Sequence, residues 1–155
     1  MTDRRDSGDG PDATARVRTD AGTSAARQGL RVLVAEDNDV NQLLIRTMLE
    51  RMGHRADMVR DGVDAVRRVQ AVTYDLVLMD VHMPVMNGLD ATRAIRAIGG
   101  QAGSVPVVAM TAAVLNDDRA ACVEAGMNGF VGKPVERAQL QQAIDEVLPA
   151  GRSGA

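Results

Sequence analysis

Five times along this chain an apolar run of strand length gives way to a segment with helical periodicity, and that alternation limits the fold more than any other feature. The run Leu30–Ala35, apolar apart from Arg31, reads as a strand buried on both faces. After it Val40, Leu43, Leu44, Thr47, Met48 and Met52 recur at helical spacing, and Gly53 stops the helix. Arg55–Val59 is a weaker strand; Asp61 is placed to cap a helix carrying Val63, Val66 and Val69. Tyr74–Met79 is the most apolar strand and is expected at the centre of the sheet. A loop with Pro84 and Asn87-Gly88 leads into a helix with Leu89, Ala91, Ala94, Ile95 and Ile98. Gly99–Ser104 reads as a flexible loop, and Val105–Met110 as a fourth strand with Pro106 near its start, where a missing N–H is tolerated. A helix over 116–125, a short strand at Gly129–Gly132 and a helix bearing Leu140, Ile144, Val147 and Leu148 complete the pattern. The alternation predicts an α/β fold with a doubly wound, five-stranded parallel sheet covered on both faces.

The 155 residues suit one domain with tails. Residues 1–29 mix Asp, Arg, Gly, Ser and Thr with almost no large apolar side chain, so they are expected to be a disordered tail; 30–148 form the domain and 149–155 a frayed end. Tyr74 and Phe130 are the only aromatic residues, so the core is built from Val, Leu, Ile, Met and Ala. A net charge of −3 without a basic face argues against nucleic-acid binding. The lone Cys122 forms no internal disulfide and reads as a small half-buried helix residue, and His54 as a solvated helix-end residue. No stretch reaches the ~20 apolar residues needed to span a bilayer, and no signal peptide is recognisable. These features point to a cytoplasmic protein that does not bind membranes.

Polar residues cluster where the apolar runs end: Glu36-Asp37 after the first, Asp80 after the third, Thr111 after the fourth and Lys133-Pro134 after the fifth. In a parallel sheet those ends share one edge, where ligands bind. Lys133 is the only lysine among 18 basic residues, so a compact ammonium is used where arginine serves elsewhere. Three carboxylates within ~4–6 Å repel by about 4 kcal/mol per pair at 4 Å and an effective dielectric of ~20. Raised pKa values or a bound divalent cation relieve this. An all-oxygen donor set favours Mg²⁺ over zinc or copper. A cation bridging Asp80 and an incoming phosphate, with Thr111 and Lys133 on the remaining oxygens, describes a phosphoryl acceptor.

At this point the chain closely resembles the receiver domain of bacterial two-component response regulators. The resemblance spans about 30–148 and rests on five motifs in order: Val32-Leu33-Val34-Ala35-Glu36-Asp37-Asn38, Asp75-Leu76-Val77-Leu78-Met79-Asp80, Met83-Pro84-Val85-Met86-Asn87-Gly88, Met110-Thr111-Ala112 and Gly132-Lys133-Pro134. Asn38-Asp39-Val40-Asn41-Gln42 and Glu124-Ala125-Gly126-Met127 look most like receivers attached to hybrid sensor kinases. The resemblance implies a flavodoxin-like (βα)5 fold and a phosphorelay module, not a kinase, that takes a phosphoryl group from a phosphohistidine donor onto Asp80. It implies that Asp37, Asp80 and the backbone carbonyl of His82 ligate Mg²⁺, with Glu36 acting mostly through water. Thr111 would sense the phosphoryl group, Phe130 would be the switch aromatic, Lys133 would pair with a phosphoryl oxygen, and the Lys133–Pro134 bond would be cis. The expected partners are a histidine kinase or a histidine phosphotransfer protein and a downstream protein.

The family tunes autodephosphorylation two residues beyond the Asp and the Thr; His82 and Ala113 stand there, offering no carboxylate or amide to orient water. A haloacid-dehalogenase-type phosphatase would need a second Asp where His82 stands, and its nucleophile on the first strand. A flavodoxin-like cofactor binder would need a phosphate-cradling loop where Glu36-Asp37 repels phosphate. A pseudo-receiver used only for docking would not need the intact acidic pair, Asp80, Thr111 and Lys133. Seven residues after Leu148 are too few for an output domain, so the signal is expected to leave through a protein surface or a larger relay.

Overall fold

The computed structural model describes residues 29–112 and 116–148, apart from the side chains of 116–118. Apart from Gly29, whose N–H donates to Gly53 O, the expected tails lie outside the described residues, as does Ala113. Five strands, β1 (Arg31–Ala35), β2 (Arg55–Val59), β3 (Leu76–Asp80), β4 (Val107–Thr111) and β5 (Gly129–Gly132), alternate with helices α1 (Asp39–Arg51), α2 (Gly62–Ala71), α3 (Gly88–Ile98), α4 (Asn116–Ala125) and α5 (Arg137–Val147). All pairings are parallel, in the order β2-β1-β3-β4-β5. The loop expected at Gly99–Ser104 contains a single turn of helix, Gly100–Gly103. The fourth strand begins at Val107, so Pro106 stands just outside it, its carbonyl accepting from Val77 N.

Alternation along the strands divides the core. Val32, Val34, Leu76, Leu78, Val108 and Met110 face Ile45 and Leu49 of α1 and Leu140 and Ile144 of α5. Leu33, Ala35, Val77, Met79, Val107 and Ala109 face α2, α3 and α4 through Ala65, Val69, Ala91, Ile95 and Cys122. The sheet is thus covered on both sides, and β3 and β4 are buried along their whole length. Cys122 is fully buried rather than half-buried.

The helices start where side chains satisfy their first free N–H groups. Asn38 Oδ1 accepts from Asn41 N, Asp61 Oδ1 from Asp64 N, and Asn87 Oδ1 from Asp90 N. Gly53 ends α1 at φ 89°, where a side chain would be strained. In α1 the helical spacing holds, but not every residue that carries it faces the sheet. Ile45 and Leu49 are buried, with Met48 and Met52 beside them, whereas Val40 and Leu43 are 74% and 66% exposed. The helix carries more apolar residues than one face can bury, and periodicity alone does not choose the face.

His54 also departs from its expected setting. It is 4% exposed, and Nδ1 accepts from Leu30 N at 3.3 Å. The ring therefore helps fasten the start of β1 to the α1–β2 turn.

Candidate functional site

Glu36 and Asp37 follow β1 directly. Backbone pairing anchors Glu36, whose N–H donates to Val59 O and whose carbonyl accepts from Gln42 Nε2 at 2.6 Å. Its side chain is 0% exposed; Oε2 accepts from Asn38 N at 3.0 Å and Oε1 lies 3.1 Å from the Lys133 ammonium. Asp37 is exposed, and its carbonyl accepts from Arg60 Nη2. Gln42 and Arg60 thus hold the acidic turn against β2, a role that sequence reading missed because both are ordinary polar residues in a helix and a loop.

Asp80 closes β3 and is 2% exposed. Its Oδ1 accepts from His82 N at 3.1 Å, and its Oδ2 accepts from Lys133 Nζ at 2.8 Å. Thr111, buried at the end of β4, accepts through its carbonyl from Lys133 N at 3.0 Å, which places Lys133 beside both strand ends. The Lys133–Pro134 peptide is cis. Glu36, Asp37 and Asp80 each offer a carboxylate oxygen within 4.8 Å of the others. The structure therefore gathers Glu36, Asp37, Asp80 and Lys133 at one edge, with Thr111 bonded to Lys133 through the backbone. His82 is exposed next to Asp80, and Phe130 lies lower on β5.

The loop after β3 is held from below. Gly88 N donates to Val81 O at 3.0 Å, and a Cβ on Gly88 would meet Asp80 O at 2.2 Å. Within this loop Val85 has φ 69°, a strained value for a β-branched residue, and is 83% exposed.

Charge defines the chemistry available. Burial pushes the Glu36 carboxyl above its usual range; the Asn38 N–H and Lys133 oppose that, and Asp80 adds to it. Burial acts downward on the Lys133 ammonium, but the Asp80 and Glu36 carboxylates outweigh it and raise its pKa. In formal charge, three carboxylates against one ammonium leave an excess of two negative charges. An all-oxygen donor set with that excess fits a hard divalent cation such as Mg²⁺.

A doubly wound parallel sheet with an acidic cluster, a buried Asp and a Lys at its carboxyl edge defines a class of strand-end phosphoryl sites. Within that class, residues 32–145 match the response regulator receiver domain, and the chain belongs to that family. The sensor protein GacS of Pseudomonas syringae pv. syringae is 41% identical over 130 residues, covering 83% of this chain and 14% of GacS. The receiver domain of sensor histidine kinase PA1611 from Pseudomonas aeruginosa PAO1 superposes with a TM-score of 0.71 at 42% identity, covering 82% of this chain and 99% of that one. That crystal structure holds a magnesium ion in its active-site cleft. Full-length ShkA superposes with a TM-score of 0.69 at 44% identity, over 77% of this chain and 24% of that one. This chain spans only 7–15% of the length of the first three curated relatives. Its similarity is thus to the receiver portions of hybrid histidine kinases.

Proposed function

We propose that residues 30–148 form a phosphorelay receiver, with 1–29 and 149–155 as tails, that accepts a phosphoryl group on Asp80 from a phosphohistidine of a histidine kinase or phosphotransfer protein. The observation that carries this reading is Asp80 itself, buried at a strand end, with Lys133 Nζ 2.8 Å away and two further carboxylates within 4.8 Å. In the reaction a carboxylate oxygen of Asp80 attacks phosphorus. The O–P bond forms as the P–N bond to the donor imidazole breaks, and the imidazole departs. Lys133 and Thr111 take the phosphoryl oxygens, and burial of the pocket strengthens each of these contacts. Asp37, Asp80 and the His82 carbonyl would hold Mg²⁺, with Glu36 acting mostly through water; the ion supplies charge neutralisation and orientation. By the same means the domain promotes its own phosphorylation and its later hydrolysis.

Apolar residues stand exposed near the pocket, Val40, Leu43 and Leu44 on the first turns of α1 and Val85 in the loop after β3. They offer a protein donor a surface beside Asp80. A phosphoryl group would draw Thr111 inward, free space beside β4 and let Phe130 rotate, remodelling the face formed by α4, β5 and α5 for a downstream protein. Among the described residues no helix is long and apolar enough to cross a membrane. With the lone buried Cys122 and the net charge of −3, this supports a cytoplasmic location without nucleic-acid binding. Treatment with acetyl phosphate and Mg²⁺ tests the proposal. Intact mass should show one phosphoryl adduct on the wild type and none on Asp80→Asn; an undiminished adduct on the variant would overturn the assignment.

A further inference from the structure

Phe130 stands on β5 in register with Ala109 of β4, and one side of its ring packs into the core beneath α2, α3 and α4. The ring is only half-buried. Over it lies the guanidinium of Arg119 from α4, its central carbon 5.1 Å from the ring centroid. Both residues line a groove of about 600 Å³ between α4 and α5, with Asn128, Gln139, Gln142 and Glu146.

We infer that Arg119 is a positioning residue that holds Phe130 in its half-exposed place and so opposes the inward rotation of the ring. This rests on the switch reading given above. A planar guanidinium stacks on an aromatic face and is attracted by its negative quadrupole. The contact exists only while the ring lies on the groove side; rotation toward the space beside Thr111 withdraws the ring from under Arg119. Arg119 therefore contributes to one side of a two-state equilibrium, which is the condition for biasing it. A cation–π contact at an exposed site shifts such a ratio about two- to five-fold. Phosphorylation has to overcome that bias, so Arg119 sets how much of the population switches at a given occupancy of Asp80.

The test is the affinity of the full chain for beryllofluoride, a phosphoryl mimic, with Mg²⁺ present, read by NMR together with the ring signals of the single Phe. Arg119→Gln should bind about two- to five-fold more tightly, since the inward state no longer competes with the cation–π contact. Arg119→Lys keeps a cation near the ring but not the planar stack, and should fall between wild type and Arg119→Gln. In a Phe130→Leu protein, Arg119→Gln should change nothing. Unchanged affinity in Arg119→Gln, or the same change with and without Phe130, would overturn the inference, as would Arg119→Lys behaving like Arg119→Gln. If the wild type binds no beryllofluoride, the phosphoacceptor reading itself fails and the inference falls with it; if it binds and only the Arg119 series is flat, that reading stands and the latch does not.

Discussion

Gly88 and Asp80 approach so closely that a Cβ on Gly88 would lie 2.2 Å from the Asp80 carbonyl oxygen and 2.9 Å from Met79 Cγ. The start of α3 is thereby pressed against the end of β3, and the Val81–Asn87 loop is closed by the bond from Gly88 N to Val81 O. The position of the proposed phosphoacceptor depends on the absence of one methyl group eight residues away.

Gly88→Ala should therefore cost about 1–3 kcal/mol of stability, as overpacking does in a tight site. It should also slow phosphorylation of Asp80, because the backbone that must yield carries that side chain. Urea unfolding gives the first effect and time-resolved intact mass with acetyl phosphate the second. Wild-type values in both would mean that the loop gives way without moving Asp80.

Lys133→Gln removes the ammonium shared by Glu36 and Asp80. Burial already raises the Glu36 pKa, so its ionised form is disfavoured in the folded state; without Lys133 the rise should be larger. A carboxyl group with a folded pKa above its unfolded value loses stability as pH rises through the interval between the two. The deficit of Lys133→Gln relative to wild type should thus be larger at pH 7.5 than at pH 5. Thermal melts at the two pH values decide this, and a deficit that grows on acidification would contradict it.

Mg²⁺ should stabilise the wild type, by about 2.7 kcal/mol at a concentration of 100 times its Kd. Asp37→Asn should lose most of that gain and leave the metal-free protein at least as stable as the wild type, because one of three mutually repelling carboxylates is gone and the Asp37 side chain is exposed. Melting curves with and without MgCl2 read both quantities, and an equal magnesium shift in both proteins would remove Asp37 from the ligand set.

His54 gives a second pH dependence, of a different sign from that of Glu36. Burial lowers its pKa, although Asp75 pulls upward, and its Nδ1 is occupied as an acceptor from Leu30 N. The unfolded chain therefore binds this proton more readily than the folded one. Stability should be full above the ordinary histidine pKa of about 6.5, fall as pH drops below it, and level off once the folded pKa is passed. In His54→Gln that component should vanish from the pH profile between 7.5 and 5, whatever the substitution costs overall; an unaltered profile would assign the acid sensitivity elsewhere.

Arg96 on α3 ties two connections together, the one that follows α3 and the one that follows α4. Its guanidinium donates to the carbonyls of Gly103, Val105 and Gly126 and to Asn128 Oδ1, at 2.7–3.0 Å. Arg96→Ala leaves those acceptors without their donor and should cost on the order of 2–4 kcal/mol. Arg96→Lys should recover only part of this, since an ammonium cannot span the same acceptors. Equal stability of Arg96→Ala and wild type in urea would show that water replaces the guanidinium at no cost.

The sequence by itself determined the number and order of the elements, because continuous apolar runs demand burial on both faces and 3.6-residue periodicity demands a sheet to lie on. It also determined that Glu36, Asp37, Asp80, Thr111 and Lys133 stand at strand ends, since each follows or closes an apolar run. Tertiary structure decided what one-dimensional patterns leave open. Only packing selects Ile45 and Leu49 over Val40 and Leu43 as the inner face of α1, because adjacent stripes of one helix satisfy the same period. Only the turn of chain after α1 brings His54 under Leu30, converting an ordinary histidine into a buried acceptor. The same holds for Arg96 and Arg119: arginine is common throughout this chain, and what distinguishes these two is the carbonyls and the ring that lie within their reach in space.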